Sequence, residues 1–161
     1  MASTPFRGPL TQGPNLDLYG STQLFELGTL AHGANGKTFR YVKFLDAVTY
    51  VAGHVCCAAT TTAIDQWTVT NDRAGGSNIT GQIVVGVLHG TANVPAQNDY
   101  GWIQVAGECA PAGTYAAGDY VIPHATVDGT AVISGYTAAK ADFNIFGKAK
   151  TSAIVQLLGL V

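Results

Sequence analysis

The side chains best suited to nucleophilic, acid–base or metal-assisted chemistry are four histidines, three cysteines and ten carboxylates. His32, His54, His89 and His124 each stand alone. The chain carries no HxH, no HExxH and no Cys/His pair at ligand spacing. Cys56, Cys57 and Cys109 form neither a disulfide framework nor a CxxC metal site. Adjacent cysteines in a strand point to opposite faces, so Cys56 and Cys57 read as small core hydrophobes and not as a bridge. The carboxylates lie mostly near turns, where Asp ordinarily bonds its own backbone. The segment Gly33-Ala34-Asn35-Gly36-Lys37-Thr38 ends like a P-loop, but Ala31 stands where that motif needs its first glycine. It also leads into a strand where a phosphate cradle leads into a helix. The expectation is a chain with no catalytic site, no cofactor and no metal.

The elements that would position any such groups are strands. Residues Thr38 to Phe44 alternate, with Phe39 and Tyr41 on one face and Arg40, Val42 and Phe44 on the other. Ile83 to Leu88 is a continuous apolar run, as in a strand buried on both faces. Trp102 to Val105 and Ala153 to Leu158 alternate again. Turn signals such as Asn35-Gly36, Gly75-Gly76 and Asp128-Gly129 separate these runs, as many short strands require. Two stretches, 60–66 and 138–143, could form a helical turn or two.

An internal repeat organises the strands. Gly28-Thr29-Leu30-Ala31-His32-Gly33 resembles Gly86-Val87-Leu88-His89-Gly90, and each precedes an aromatic strand. Thr49-Tyr50-Val51-Ala52-Gly53 is then mirrored by Thr114-Tyr115-Ala116-Ala117-Gly118. In each, Gly allows a positive φ in a turn and Tyr packs across the corner. The predicted fold is all-β: a small β-barrel or sandwich from two duplicated β units, with an extended N-terminal arm. The arm covers residues 1–23 and a single β domain covers 24–161, with pseudo-repeats of about 24–80 and 81–161. Prolines and glycines break the arm, yet it keeps Phe6, Leu10, Leu16, Leu18 and Tyr19 beside Arg7, more apolar content than a disordered tail. It reads as an arm that orders against a partner.

Charge restricts the partners. Hydrophobic residues make up 47% and charged residues 11%, below the roughly 25% usual in soluble domains. So little surface charge points to self-association or to cover by neighbouring subunits. The net charge is −2 and no basic run occurs, which argues against direct nucleic-acid binding. No apolar run approaches the length of a membrane helix and no leader is visible, so the expectation is a product of the cytoplasm with no membrane partner.

The Gly36 to Val42 strand, the Ala52-Gly53 and Ala117-Gly118 turns, Val85-Gly86-Val87, Tyr100 to Gly107, and Phe146-Gly147-Lys148-Ala149 leading into Ile154 to Leu157 carry a resemblance. Over most of residues 24–161 the chain resembles the β-rich decoration proteins, also called head-stabilisation or cement proteins, of tailed-bacteriophage capsids. The resemblance implies a non-enzymatic virion protein, made in the host cytoplasm, that binds the capsid exterior. It would bridge subunits of the major capsid protein, with a trimer favoured and the arm gripping the shell. Phe6, Arg7, Leu10, Leu16, Leu18 and Tyr19 would be the capsid-binding residues. The alternative is a carbohydrate- or receptor-binding β module of a phage tail or fibre, which exposed Tyr and Trp on a flat face would favour. An enzyme with a convergent site and a main shell or tail-tube subunit are further alternatives, with less in the residues to support them.

Overall fold

The computed structural model describes residues 15–45, 49–59, 67–72, 83–90, 94–124, 127–133 and 145–159. Of these, 44% lie in strands, so the protein is an all-β one. Five strands close into a barrel: β2 (Thr38–Phe44), β3 (Val55–Ala58), β4 (Thr68–Thr70), β5 (Val84–Leu88) and β6 (Tyr100–Cys109). Around the ring β2 runs parallel to β4, and every other pairing is antiparallel. A short strand, β1 (Leu30–His32), pairs with the first half of β2. Their connecting turn sets Asn35 and Gly36 at positive φ, the conformation for which Asn-Gly is favoured in hairpins. The stretches 60–66 and 138–143 lie outside the described residues.

The alternation in β2 divides its side chains between two cores. Val42 and Phe44 join Cys56, Val69, Val85, Leu88, Ile103 and Val105 inside the barrel. Phe39 and Tyr41 face outward with Trp102. In β5 a register shift against β3 pairs Cys56 with Gly86 but Cys57 with Val84. The extra residue of this bulge turns Val85 and Leu88 both inward and leaves Val84 and Val87 both outward. That explains an apolar run without alternation. Cys56 and Cys57 do face opposite ways, one into the barrel and the other out of it.

The second sheet runs in the order β6, β11 (Val155–Leu157), β10 (Gly147–Ala149), β8 (Tyr120–Pro123), β9 (Ala131–Ile133), β7 (Gly113–Thr114). Its Tyr115, Val121, Phe146, Val155 and Leu157 pack on Val55, Cys57, Val84 and Val87, the outer wall of the barrel. Strand β6 belongs to both layers. Six of its first seven residues pair in the barrel with β2, Val105 being skipped at a register shift, and its last three pair with β11. Buried Gln104 spans the change of layer, donating from Nε2 to the carbonyls of Ala106 at 3.0 Å and Glu108 at 2.9 Å.

The matched Tyr-containing segments adopt one turn. In Val51–His54 and Ala116–Asp119 the last N–H donates to the first carbonyl, at 3.0 and 3.1 Å. Gly53 and Gly118 hold φ of 84° and 94°, which a side chain would strain. Tyr50 and Tyr115 are buried beside these turns. The strands on the far side of the 80/81 boundary, β5 and β6, close the same barrel as β2 to β4.

Candidate functional site

Two surfaces collect side chains with something to bind. The first is a strap, residues 15–29, laid over the outward aromatics of β2 and β6. Leu16 and Leu27 pack on Phe39, Tyr41 and Trp102. The Phe25 ring lies 5.3 Å from Tyr41 and 5.2 Å from Trp102, at the tilts that aromatic quadrupoles favour. Gly20 exchanges two backbone bonds with Tyr100, at 2.8 and 3.2 Å. Tyr19 seats its ring edge-on against Phe44 at 5.7 Å and donates its hydroxyl to the carbonyl of His89. Burial pushes that phenol well above its ordinary pKa. Gly101 makes the fit possible, because a Cβ there would collide with the Tyr19 ring.

The residues expected to form a capsid-binding arm are thus placed unequally. Phe6, Arg7 and Leu10 lie outside the described residues. Leu16 and Tyr19 turn inward and fasten the strap to the barrel. Leu18 points out, 47% exposed, and is joined by Leu24 at 59% and Phe25 at 38%. Leu18 and Leu24 share a groove of about 260 Å³ with Tyr19, Tyr41 and Tyr100. Leu24 and Phe25 lie just past the arm boundary expected at residue 23, on the same strap as Leu18.

The second surface is an open groove between barrel and second sheet. It holds Lys37, His89 with Asp17 at 3.9 Å, and the Glu108–Lys150 ion pair. Burial lowers the His89 pKa, an effect that Asp17 opposes and Lys37 reinforces. Burial pushes the Cys109 thiol up to about 12, so at neutral pH it stays protonated, its Sγ 3.7 Å from the Val155 carbonyl. A thiol in that state is no nucleophile. Nothing in the sequence spacing joins Asp17, Lys37, His89 and Glu108, which four different segments contribute.

The seam beside this groove is tightly bonded. Asn71, 0% exposed, donates from Nδ2 to His54 Nδ1 at 2.8 Å and to the carbonyl of Thr49 at 3.3 Å. Val55 N–H donates to the Gly129 carbonyl, and Gly129 N–H donates to that of Asn71. Burial lowers the His54 pKa, partly opposed by Asp128. Among the described residues no group of three His, Cys, Asp or Glu side chains is placed to hold a metal ion, and no helix is long and apolar enough to cross a membrane.

The two tryptophans present no flat exposed face. Trp102 is 2% exposed, and the Arg40 guanidinium lies 4.1 Å above the Trp67 ring. No family model, curated protein or solved structure matches the chain.

Proposed function

We propose that this chain is a structural virion protein that binds the outside of an assembled bacteriophage capsid and stabilises it by bridging neighbouring capsid subunits. The observation that carries the reading is the exposed apolar face of Leu18, Leu24 and Phe25 on a strap anchored to a rigid barrel. Phe6, Arg7 and Leu10 precede that strap in the sequence, and the reading gives them the same docking role. Three large apolar side chains are a small contact. Repeated over a lattice and within a self-associated trimer, modest contacts sum to firm attachment through effective concentration. The low charge of the chain suits a surface that subunits cover on several sides. Tyr and Trp exposed together on a flat face would favour the tail- or fibre-module reading; Tyr120 is exposed, whereas Trp102 is buried and Trp67 carries the Arg40 guanidinium.

Co-sedimentation with empty capsids of the phage that encodes the chain tests the proposal. The full chain should sediment with the shells and raise their melting temperature. Deleting residues 2–14, or introducing Leu18→Asp with Leu24→Asp, should abolish both effects while the free protein keeps its circular dichroism. Full binding by both variants would refute the assigned face. Failure of the intact chain to bind would refute the function.

A further inference from the structure

The groove between barrel and second sheet reaches the strap at Asp17 but carries an inference that does not rest on the capsid reading. Its larger part, of about 670 Å³, is bounded by Lys37, Glu108, Ala110 and Ile154. An adjoining part of about 320 Å³ reaches Asp17 and His89, with Lys37 and Ala110 lining both. These volumes fall in the range of small-molecule sites, roughly 300–1,000 Å³.

Lys37 differs from its fellow cations. Among the described lysines, Lys150 is paired with Glu108, while Lys43 and Lys148 lie over the rings of Tyr100 and Tyr120 at 5.9 and 5.3 Å. Among the described residues Lys37 has neither a carboxylate in ion-pair contact nor a ring beneath it, although it is half-buried. The bend in β6 creates this position, since a Cβ at Gly107 would lie 2.9 Å from the Gly36 carbonyl oxygen and 3.0 Å from Lys37 Cα. The charge of Lys37 acts on both His89, in the smaller part of the groove, and Cys109, which lines both parts.

We propose that the groove binds a monocarboxylate, with the Lys37 ammonium as its anchor and the ligand's apolar body against Ala110 and Ile154. A half-buried cation gains most from a counter-charge where solvent is partly excluded. Asp17 and Glu108 line the same groove, and their charges repel a doubly charged anion such as phosphate more than a singly charged one. The carboxylate belongs either to a free small acid or to an acidic side chain of a polypeptide.

Titration of the full chain with propionate, followed by NMR of the lysine ε-methylene and histidine ring signals, tests this. A sodium chloride series of matched ionic strength is the control. The expected result is a saturable shift at Lys37 and His89 with the other lysines unmoved. Lys37→Met should weaken it by at least about tenfold, and Lys37→Arg should retain it. Ile154→Asp, which leaves Lys37 in place, should weaken it too. A capped peptide with one internal Glu that binds tighter than propionate assigns the carboxylate to a polypeptide; weaker binding assigns it to a free acid. Equal, linear shifts at every lysine would overturn the proposal. So would an unchanged shift in Lys37→Met, or tighter binding of inorganic phosphate.

Discussion

Asn71→Ala tests the account of the seam between the two sheets. Asn71 meets Thr49 at its backbone carbonyl oxygen, which can only accept, so the amide edge facing it must be Nδ2. The same Nδ2 meets His54 Nδ1, which must then accept, fixing His54 as the neutral tautomer protonated at Nε2. Removing the amide loses two hydrogen bonds, each worth about 1 kcal/mol net, and opens a small cavity worth about 1 kcal/mol more. Against this, Asn71 Oδ1 is buried with no partner among the described residues, and its removal returns about 1 kcal/mol. The balance is a loss of about 2 kcal/mol, or roughly 4–8 °C in Tm for a chain of this size.

The pH dependence gives an independent reading of the same contact. The folded-state pKa of His54 lies below its unfolded value, so its contribution is fully present above about pH 6.5. As pH falls, the unfolded chain takes the proton first, and the contribution is lost as pH drops through the depressed folded value. Protonated Nδ1 would face the Asn71 amide donor to donor. Urea unfolding at about pH 8 and about pH 5 should therefore show a smaller acid loss in Asn71→Ala than in the natural chain. His89, depressed as well, should keep its own share of the loss. An unchanged urea midpoint at about pH 8, or an identical acid loss in both proteins, would refute the reasoning.

Three further outcomes follow from single positions. Gln104→Leu removes the donors to the Ala106 and Glu108 carbonyls where β6 changes layer, and should cost about 1–3 kcal/mol by urea unfolding. Gly101→Ala drives a methyl into the Tyr19 ring and should lift the strap, seen as faster proteolysis between residues 15 and 29 with the barrel preserved by circular dichroism. The three buried thiols should resist a thiol-specific maleimide in the native protein at neutral pH and react fully in urea; native labelling of Cys109 would contradict its burial.

The strands were legible wherever local pattern and tertiary packing agree. In β2 the alternation marks the two faces because one side fills the barrel and the other meets the strap. In β5 the pattern marked a strand without its faces, because a bulge set by pairing with β3 is invisible in its own residues. Repetition of the Tyr-led segments was legible as one turn, since the device is local: a positive-φ glycine and a bond across four residues. A small barrel was among the architectures those strands implied, but the order of its ring was not legible, because that depends on β2 meeting β6 some sixty positions away and β4 in parallel. The groove around Lys37 was hidden for the same reason, its charged residues arriving from separate segments.

The arm shows why a run of apolar residues underdetermines its use. Each large side chain between Leu16 and Phe25 can face either the barrel or a partner, and the choice depends on what β2 and β6 present beneath it. The aromatics Phe39, Tyr41 and Trp102 demand cover, and Leu16 and Leu27 supply it. The gap beside Gly101 admits one ring, and Tyr19 occupies it. With those two demands met, Leu18 and Leu24 stay outside, and Phe25 contributes an edge to each side. A side chain already spent on the barrel cannot grip a shell without uncovering an aromatic core. A truncation reaching past Asn15 would therefore remove Leu16 and Tyr19 and confound loss of binding with loss of fold. Docking has to be probed by cutting before Asn15 or by altering Leu18 and Leu24, where the cost to the barrel is least.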